Sequence, residues 1–124
     1  MSLVDSLRGY HVHIYYNDAT EASAKELHDQ LVARFGGQPS RPQFTGIAGP
    51  HPIPQVQVIF RKDAFTGIVP WLMFNRRALD ILVHPLTDDE IEDHTTHAVW
   101  LGKPVDLLTD RLKHAPTIPE LQPI

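Results

Sequence analysis

Cysteine is absent from this chain of 124 residues. That excludes disulfides, thiolate metal sites and a cysteine nucleophile. No apolar run approaches the roughly 18 residues of a membrane span, so no membrane partner is expected. No charged-then-apolar leader opens the sequence, and the expected location is cytoplasmic. Basic charge is not in excess either. Against 15 acidic residues stand 11 Lys and Arg, for a formal net charge of −4. Nucleic-acid binding usually demands a basic face, and the basic residues here are scattered, so no nucleic-acid partner is expected. There is no G-x-S-x-G elbow, phosphate-cradling glycine loop or dinucleotide fingerprint. The four serines (Ser2, Ser6, Ser23, Ser40) lie in a terminus, a helix or a loop and offer no seryl nucleophile.

What the chain has is histidine. In the strand-like run Tyr10-His11-Val12-His13-Ile14-Tyr15-Tyr16, alternate residues point to the same face. His11, His13 and Tyr15 therefore share one face, and Val12, Ile14 and Tyr16 share the other, which reads as the core face. Further histidines stand at pointed places: His51 in Gly49-Pro50-His51-Pro52, His84 closing Leu79–His84, and His94 and His97 in Asp93-His94-Thr95-Thr96-His97. Imidazole is the commonest protein ligand for divalent metals and titrates near neutrality. The pattern points to a histidine-lined site.

At this length, with 42% hydrophobic residues, the chain reads as one domain able to bury a core. After the first strand, Asp18 and Glu21 have capping-box spacing. The helix they open carries Ala24, Leu27, Leu31 and Phe35 as an apolar stripe and ends at Gly36-Gly37. His28 at the stripe's edge reads as a helix-surface residue. Arg41–Gly46 is a short strand, and the proline-rich turn Gly49–Pro54 separates it from a strand over Gln55–Arg61. A second helix is expected over about Asp63–Arg76, with Phe65, Ile68, Val69, Leu72 and Met73 inward and Pro70 as a kink or restart. Leu79–His84 is an apolar strand stopped by Pro85. Thr87 and Glu90 have capping-box spacing and open a further helix to about Trp100. Pro116, Pro119 and Pro123 forbid a regular helix in the tail.

The order strand, helix, strand, strand, helix, strand is that of an α+β, ferredoxin-like βαββαβ antiparallel sheet with two helices on one face. A C-terminal helix and a proline-rich tail complete it. The expected division is a domain over 1–108 and a tail over 109–124. In strand order 4-1-3-2 the last strand lies antiparallel beside the first, so His84 approaches His11 or His13 on the face the helices leave open. His94 and His97, three apart, would share one helix face, and the sequence does not choose between them. An isolated H-x-H reads somewhat better as one hydrogen-bonded sheet imidazole and one solvated one than as a site. Further histidines at the same sheet edge turn the balance toward a metal site.

Taken together, Tyr10–Tyr16, Gly49-Pro50-His51-Pro52, Leu82-Val83-His84-Pro85, and Asp93-His94-Thr95 followed by Trp100-Leu101-Gly102 resemble the motif series of the DOPA 4,5-dioxygenase family. The resemblance covers about residues 8–108. It implies a small ferredoxin-like dioxygenase that opens the ring of a catechol such as L-DOPA with non-haem Fe(II) and O₂. Zn or another divalent metal could replace the iron in a crystal. Three neutral histidines, His13, His84 and His94, are then the preferred ligands, with Asp93 and Glu90 the only nearby carboxylates. His11 or His51 would be the acid/base that takes the catechol proton and later returns one, with His11 ranked slightly ahead because it lies one pleat from His13 on the same strand face.

Two other readings remain. One is a non-catalytic metal- or small-molecule-binding ferredoxin-like module, and the other a metal-free enzyme using its histidines as acids and bases. A homodimer is expected, because a sheet covered on one face would leave Ile59, Leu82 and Tyr15 exposed on the other and the tail could act as a clasp.

Overall fold

The computed structural model describes residues 2–39, 46–119 and 121. It is an α+β structure built on an antiparallel sheet. The strands are β1 (Gly9–Tyr15), β2 (Gln38–Pro39), β3 (Gly46–Ala48), β4 (His51–Phe60), β5 (Ile81–Leu86) and β6 (Val99–Leu101). They lie in the order β2-β4-β1-β5-β6, with β3 paired to β4. The helices are α1 (Glu21–Phe35), α2 (Phe65–Asn75) and the short α3 (Glu90–His94). Among the described residues no helix is long and apolar enough to cross a membrane.

β1 is the centre of the sheet, and its pleat sorts the chemistry. Val12 and Ile14, with Val56, Val58, Phe60, Ile81 and Val83 of the neighbouring strands, form the core with Ala24, Leu27 and Leu31 of α1 and Ile68 and Leu72 of α2. His11 and His13 point the other way. β5 is antiparallel to β1 with His11 opposite His84 and His13 opposite Leu82. β4 flanks β1 on its other side, with His13 opposite Gln57 and Tyr15 opposite Gln55. The adjacency of His84 to the H-x-H strand is therefore as the pattern requires.

Several local expectations change. The α1 start is organised by Asn17, whose side-chain oxygen accepts from the Ala19 and Thr20 N–H groups at 2.9 and 3.0 Å. Thr20 takes the cap position and Asp18 caps nothing; the Asn turn wins because its short carbonyl reaches the backbone two residues on. Gly36 ends α1 in the left-handed conformation at φ 68°, as expected. His28 is fully buried rather than at the surface. It sits four residues after Ala24 and three before Leu31, within the inward stripe. Met73, expected inward on α2, is exposed, and Pro70 stays inside an unbroken helix.

β4 starts at His51, so the turn expected over Gly49–Pro54 is mostly strand. Its first residues pair only with β3, β1 joining from Gln55 onward. Pro52 and Pro54 thus fall where a missing donor breaks no β1 pair. The strand expected over Arg41–Gly46 lies outside the described residues save Gly46, which opens β3. β5 runs through Pro85 to Leu86, and β6 pairs with it only over Ile81–Val83, leaving Pro85 beside an unpaired edge.

The helix expected from Thr87 to Trp100 is only α3. Asp89 is its cap, accepting from the Ile91 and Glu92 N–H groups. Thr87 instead donates its hydroxyl to Asp93 at 2.5 Å. Val99-Trp100-Leu101, β-branched and aromatic, completes the outer edge of β5 as a strand.

The second face of the sheet is not bare. α3 lies against β5, and the tail is tied to its own chain by Leu108 N–H to Pro50 O and Glu90 N–H to Ala115 O, at 2.8 and 2.9 Å. Tyr15 and Leu82 are buried and Ile59 half-buried. The uncovered face from which a homodimer was argued therefore does not exist.

Candidate metal centre

Five imidazoles converge between the sheet and the elements that cover it. His11 and His13 come from β1, His84 from β5, His51 from the first residue of β4 and His94 from the last residue of α3. All five are at most 5% exposed. Their ring centroids are close: 4.2 Å for His13–His51, 5.0 Å for His13–His84 and 3.9 Å for His84–His94. His11 stands edge-on to both His13 and His84 at 5.1 Å. Ligand atoms lie within 4.8 Å of one another in two groups, His11-His13-His84 and His13-His51-His94. His13 is common to both, and among the described residues no carboxylate joins either group.

Hydrogen bonds divide the five. His13 Nδ1 is 2.9 Å from Gln55 Oε1. His84 Nδ1 donates to the Pro85 carbonyl at 2.8 Å and His94 Nδ1 to the Glu90 carbonyl at 2.7 Å. A neutral imidazole carries one N–H, so an oxygen acceptor at Nδ1 leaves Nε2 as a bare lone pair. These three rings share that state, and it is the state of a metal ligand whose tautomer is fixed from outside. His51 differs. Its Nδ1 is 2.7 Å from the Tyr15 hydroxyl, a group that can donate or accept.

The cluster is kept neutral. Burial, reinforced by mutual repulsion among the imidazoles, holds His13 and His84 well below the ordinary histidine range. Burial with the same repulsion lowers His11 to about 3 and His51 to about 4. His94 is lowered by burial against the opposing pull of the Glu90 carbonyl. Burial pushes the Tyr15 phenol up. Neutral imidazole is the form that binds metal.

A divalent cation fits the donor set. His13 Nε2 and His84 Nε2 are 3.0 Å apart, and with both Nδ1 atoms acting as donors neither Nε2 carries a proton to share. Two lone pairs held that close call for a cation. Two nitrogens bonded to one ion at about 2.1 Å and at right angles are about 3.0 Å apart.

Of the candidate residues, His11, His13, His51, His84 and His94 come together. His97 does not; it is exposed beyond the end of α3. Asp93 is fully buried but faces Thr87, accepting from its N–H and hydroxyl. Glu90 borders the site, with its two oxygens accepting from Lys113 N–H and the Thr117 hydroxyl. Sequence reasoning missed Gln55 and Tyr15 as site residues. Their signal was alternation, since both lie on the histidine face of their strands. A cavity of about 220 Å³ opens over His11, His13, His51 and His94, with Gln57, Glu90 and Arg111 on its walls.

Comparison with known proteins gives a consistent picture. The model of the Dopa 4,5-dioxygenase family matches residues 10–111. An uncharacterized 21.2 kDa protein of Botryotinia fuckeliana is 36% identical over 126 residues, spanning 90% of this chain and 69% of that protein. A DOPA 4,5-dioxygenase of Amanita muscaria is 33% identical over 110 residues, 82% of this chain. The match spans only 48% of the Amanita protein. Among solved structures, a Nostoc punctiforme protein provisionally described as a dioxygenase superposes with a TM-score of 0.81 at 38% identity, covering 89% of this chain and 95% of that one.

Proposed function

The chain belongs to the Dopa 4,5-dioxygenase family, and on that premise we propose that it is an extradiol-type dioxygenase. It opens the ring of a catechol such as L-DOPA with O₂ and a non-haem Fe(II) held by His13, His84 and His94. One observation carries the ligand assignment. Within the cluster these are the three rings whose Nδ1 faces a carbonyl oxygen, which leaves Nε2 as the bare lone pair. His84 links them, its ring 5.0 Å from His13 and 3.9 Å from His94, with His13 and His94 themselves 6.4 Å apart. Iron in this site would supply the redox chemistry that joins O₂ to the diol ring. In the overall reaction a ring carbon–carbon bond breaks and both atoms of O₂ enter the product, so no external reductant is consumed.

The protein's own groups do the rest. The cavity over the histidines has room for one ring and a short side chain, being smaller than the roughly 300–1,000 Å³ of drug-sized sites. His11 and His51 line it and are the acid/base candidates. Each is neutral and able to accept a catechol proton at Nδ1 or Nε2. His51 has the added means of exchanging tautomers against the Tyr15 hydroxyl at 2.7 Å. Leu112, buried beside the site, and the tail that carries it limit the access of water.

We further read β2-β4-β1-β5 with α1 and α2 as the ferredoxin-like unit, extended by β6, and 109–124 as its tail. The cytoplasmic location and a homodimer belong to the same reading. Val4, Ile53, Met73, Phe74 and Val99 are the exposed large apolar side chains among the described residues, and such a dimer would draw on some of them.

The test is anaerobic reconstitution with Fe(II), followed by L-DOPA and air. We expect tight iron, a yellow ring-opened product and one O₂ consumed per catechol. Protein that binds metal yet consumes no O₂ with any catechol would instead be a binding module. Activity that survives full metal removal would place the histidines as acids and bases alone.

A further inference from the structure

We propose that Arg111 binds a carboxylate on the substrate's side chain, so that the site selects catechols that carry a side-chain carboxylate over those that lack one. This rests on the ring-cleavage reading for the ring but not for the subsite. His11, His13, His51 and His94 form the cavity floor, and Gln57 is uncharged. Arg111 is the cation on its wall. Among the described residues its guanidinium forms no ion pair, and its one hydrogen bond is a long 3.4 Å contact from Nη1 to the Gly49 carbonyl. Most of its planar fork of donors is therefore open to a carboxylate, which that fork matches in bidentate fashion.

The backbone that carries Arg111 is well placed. It ends the 3₁₀ turn Thr109–Arg111, which is anchored on one side by Leu108 N–H to Pro50 O at 2.8 Å and on the other by buried Leu112. Pro50 adjoins His51, so the turn is tied directly to the histidine site. Glu90 is the opposing charge on the same wall. Its oxygens already accept from Lys113 N–H at 2.9 Å and the Thr117 hydroxyl at 3.0 Å, which offsets part of its repulsion toward an anion.

The experiment compares 3,4-dihydroxyphenylacetate with 4-methylcatechol, which differ by the carboxylate. Binding is measured by calorimetry to the full chain loaded with Zn(II), and turnover with Fe(II) separately. Wild type should bind the carboxylate about tenfold or more tightly, the size of a hydrogen-bonded charge contact. Arg111→Gln should lose that preference, leave 4-methylcatechol unchanged, and raise KM rather than lower kcat. Arg111→Lys should restore part of it. Equal binding of both compounds by wild type, or a preference that survives in Arg111→Gln, overturns the proposal. Discrimination without O₂ consumption would refute ring cleavage and leave the subsite standing. Turnover without discrimination would do the reverse.

Discussion

His13 Nε2 lies 3.0 Å from His84 Nε2 while the Nδ1 atoms of both rings face acceptor oxygens, Gln55 Oε1 and Pro85 O. The pairing of β1 with β5 brings these rings to one pleated face, and the outer oxygens forbid a proton between them. The contact is unfavourable without a cation and favourable with one. A divalent metal at about 100 times its dissociation constant should therefore stabilise the fold by about 2.7 kcal/mol. For a domain of this size that is a rise in Tm on the order of 10 °C. His13→Ala or His84→Ala should abolish the rise, as read by scanning calorimetry with and without Fe(II) or Zn(II). An equal rise in both variants would remove them from the ligand set.

Gln55 tests whether the tautomer matters. It is fully buried and meets His13 from outside the cluster. Gln55→Leu keeps the bulk but leaves His13 Nδ1 without this acceptor, so Nε2 is no longer held as the lone pair. Metal affinity should fall about 10–100-fold with the far-ultraviolet circular dichroism unchanged. Gln55→Glu should retain or raise it. Unchanged affinity in Gln55→Leu would mean that the cluster sets its own tautomers.

The parts of this site that could be read from sequence are those governed by period. Alternation in Tyr10–Tyr16 placed His11 and His13 on one face, and the strand-helix order put His84 beside them. Three features lay beyond that logic. Whether His94 or His97 joined the site depended on where α3 stopped, and the helix breaks after His94 because Val99–Leu101 pairs with β5. His51 entered as a turn residue, although β4 begins there and its alternation continues through Gln55 and Gln57. His28 is buried because the stripe of α1 is wide enough to include it, which spacing alone leaves open at its edge. Gln55 and Tyr15 act through hydrogen bonds to imidazoles of the cluster, and no spacing rule encodes those.

The buried imidazoles also predict how stability depends on pH in the metal-free protein. His11 titrates at about 3 and His51 at about 4 in the folded chain, against about 6.5 for an unfolded histidine. Below about pH 6.5 the unfolded chain takes up protons that the folded chain refuses. Stability is therefore complete above that pH and is lost as pH falls toward 4. Each such group contributes up to about 1.4 kcal/mol per pH unit. The Tm of metal-free protein should drop by about 10 °C or more between pH 7 and pH 5, and His11→Asn should shallow the slope. A Tm independent of pH over that range would contradict the neutral cluster.

Proton transfer is the remaining role, and the two candidates are distinguishable. His11 sits edge-on to His13 and His84. His51 is bonded to Tyr15, a phenol that burial keeps protonated. With Tyr15 donating, His51 presents an N–H to the cavity; with Tyr15 accepting, it presents a lone pair. A group that passes between these two states suits the taking and returning of a proton, so His51 is the stronger candidate on this geometry. His51→Ala should lower kcat by about 10²–10⁴ with iron still bound. Tyr15→Phe, which leaves the ring and removes the switch, should lower kcat less and alter its pH profile. His11→Ala should leave turnover the less affected of the two. If His11→Ala alone collapses kcat at full iron occupancy, the assignment passes to His11. If both alanine variants turn over normally with iron in place, the proton is moved by a group other than these imidazoles.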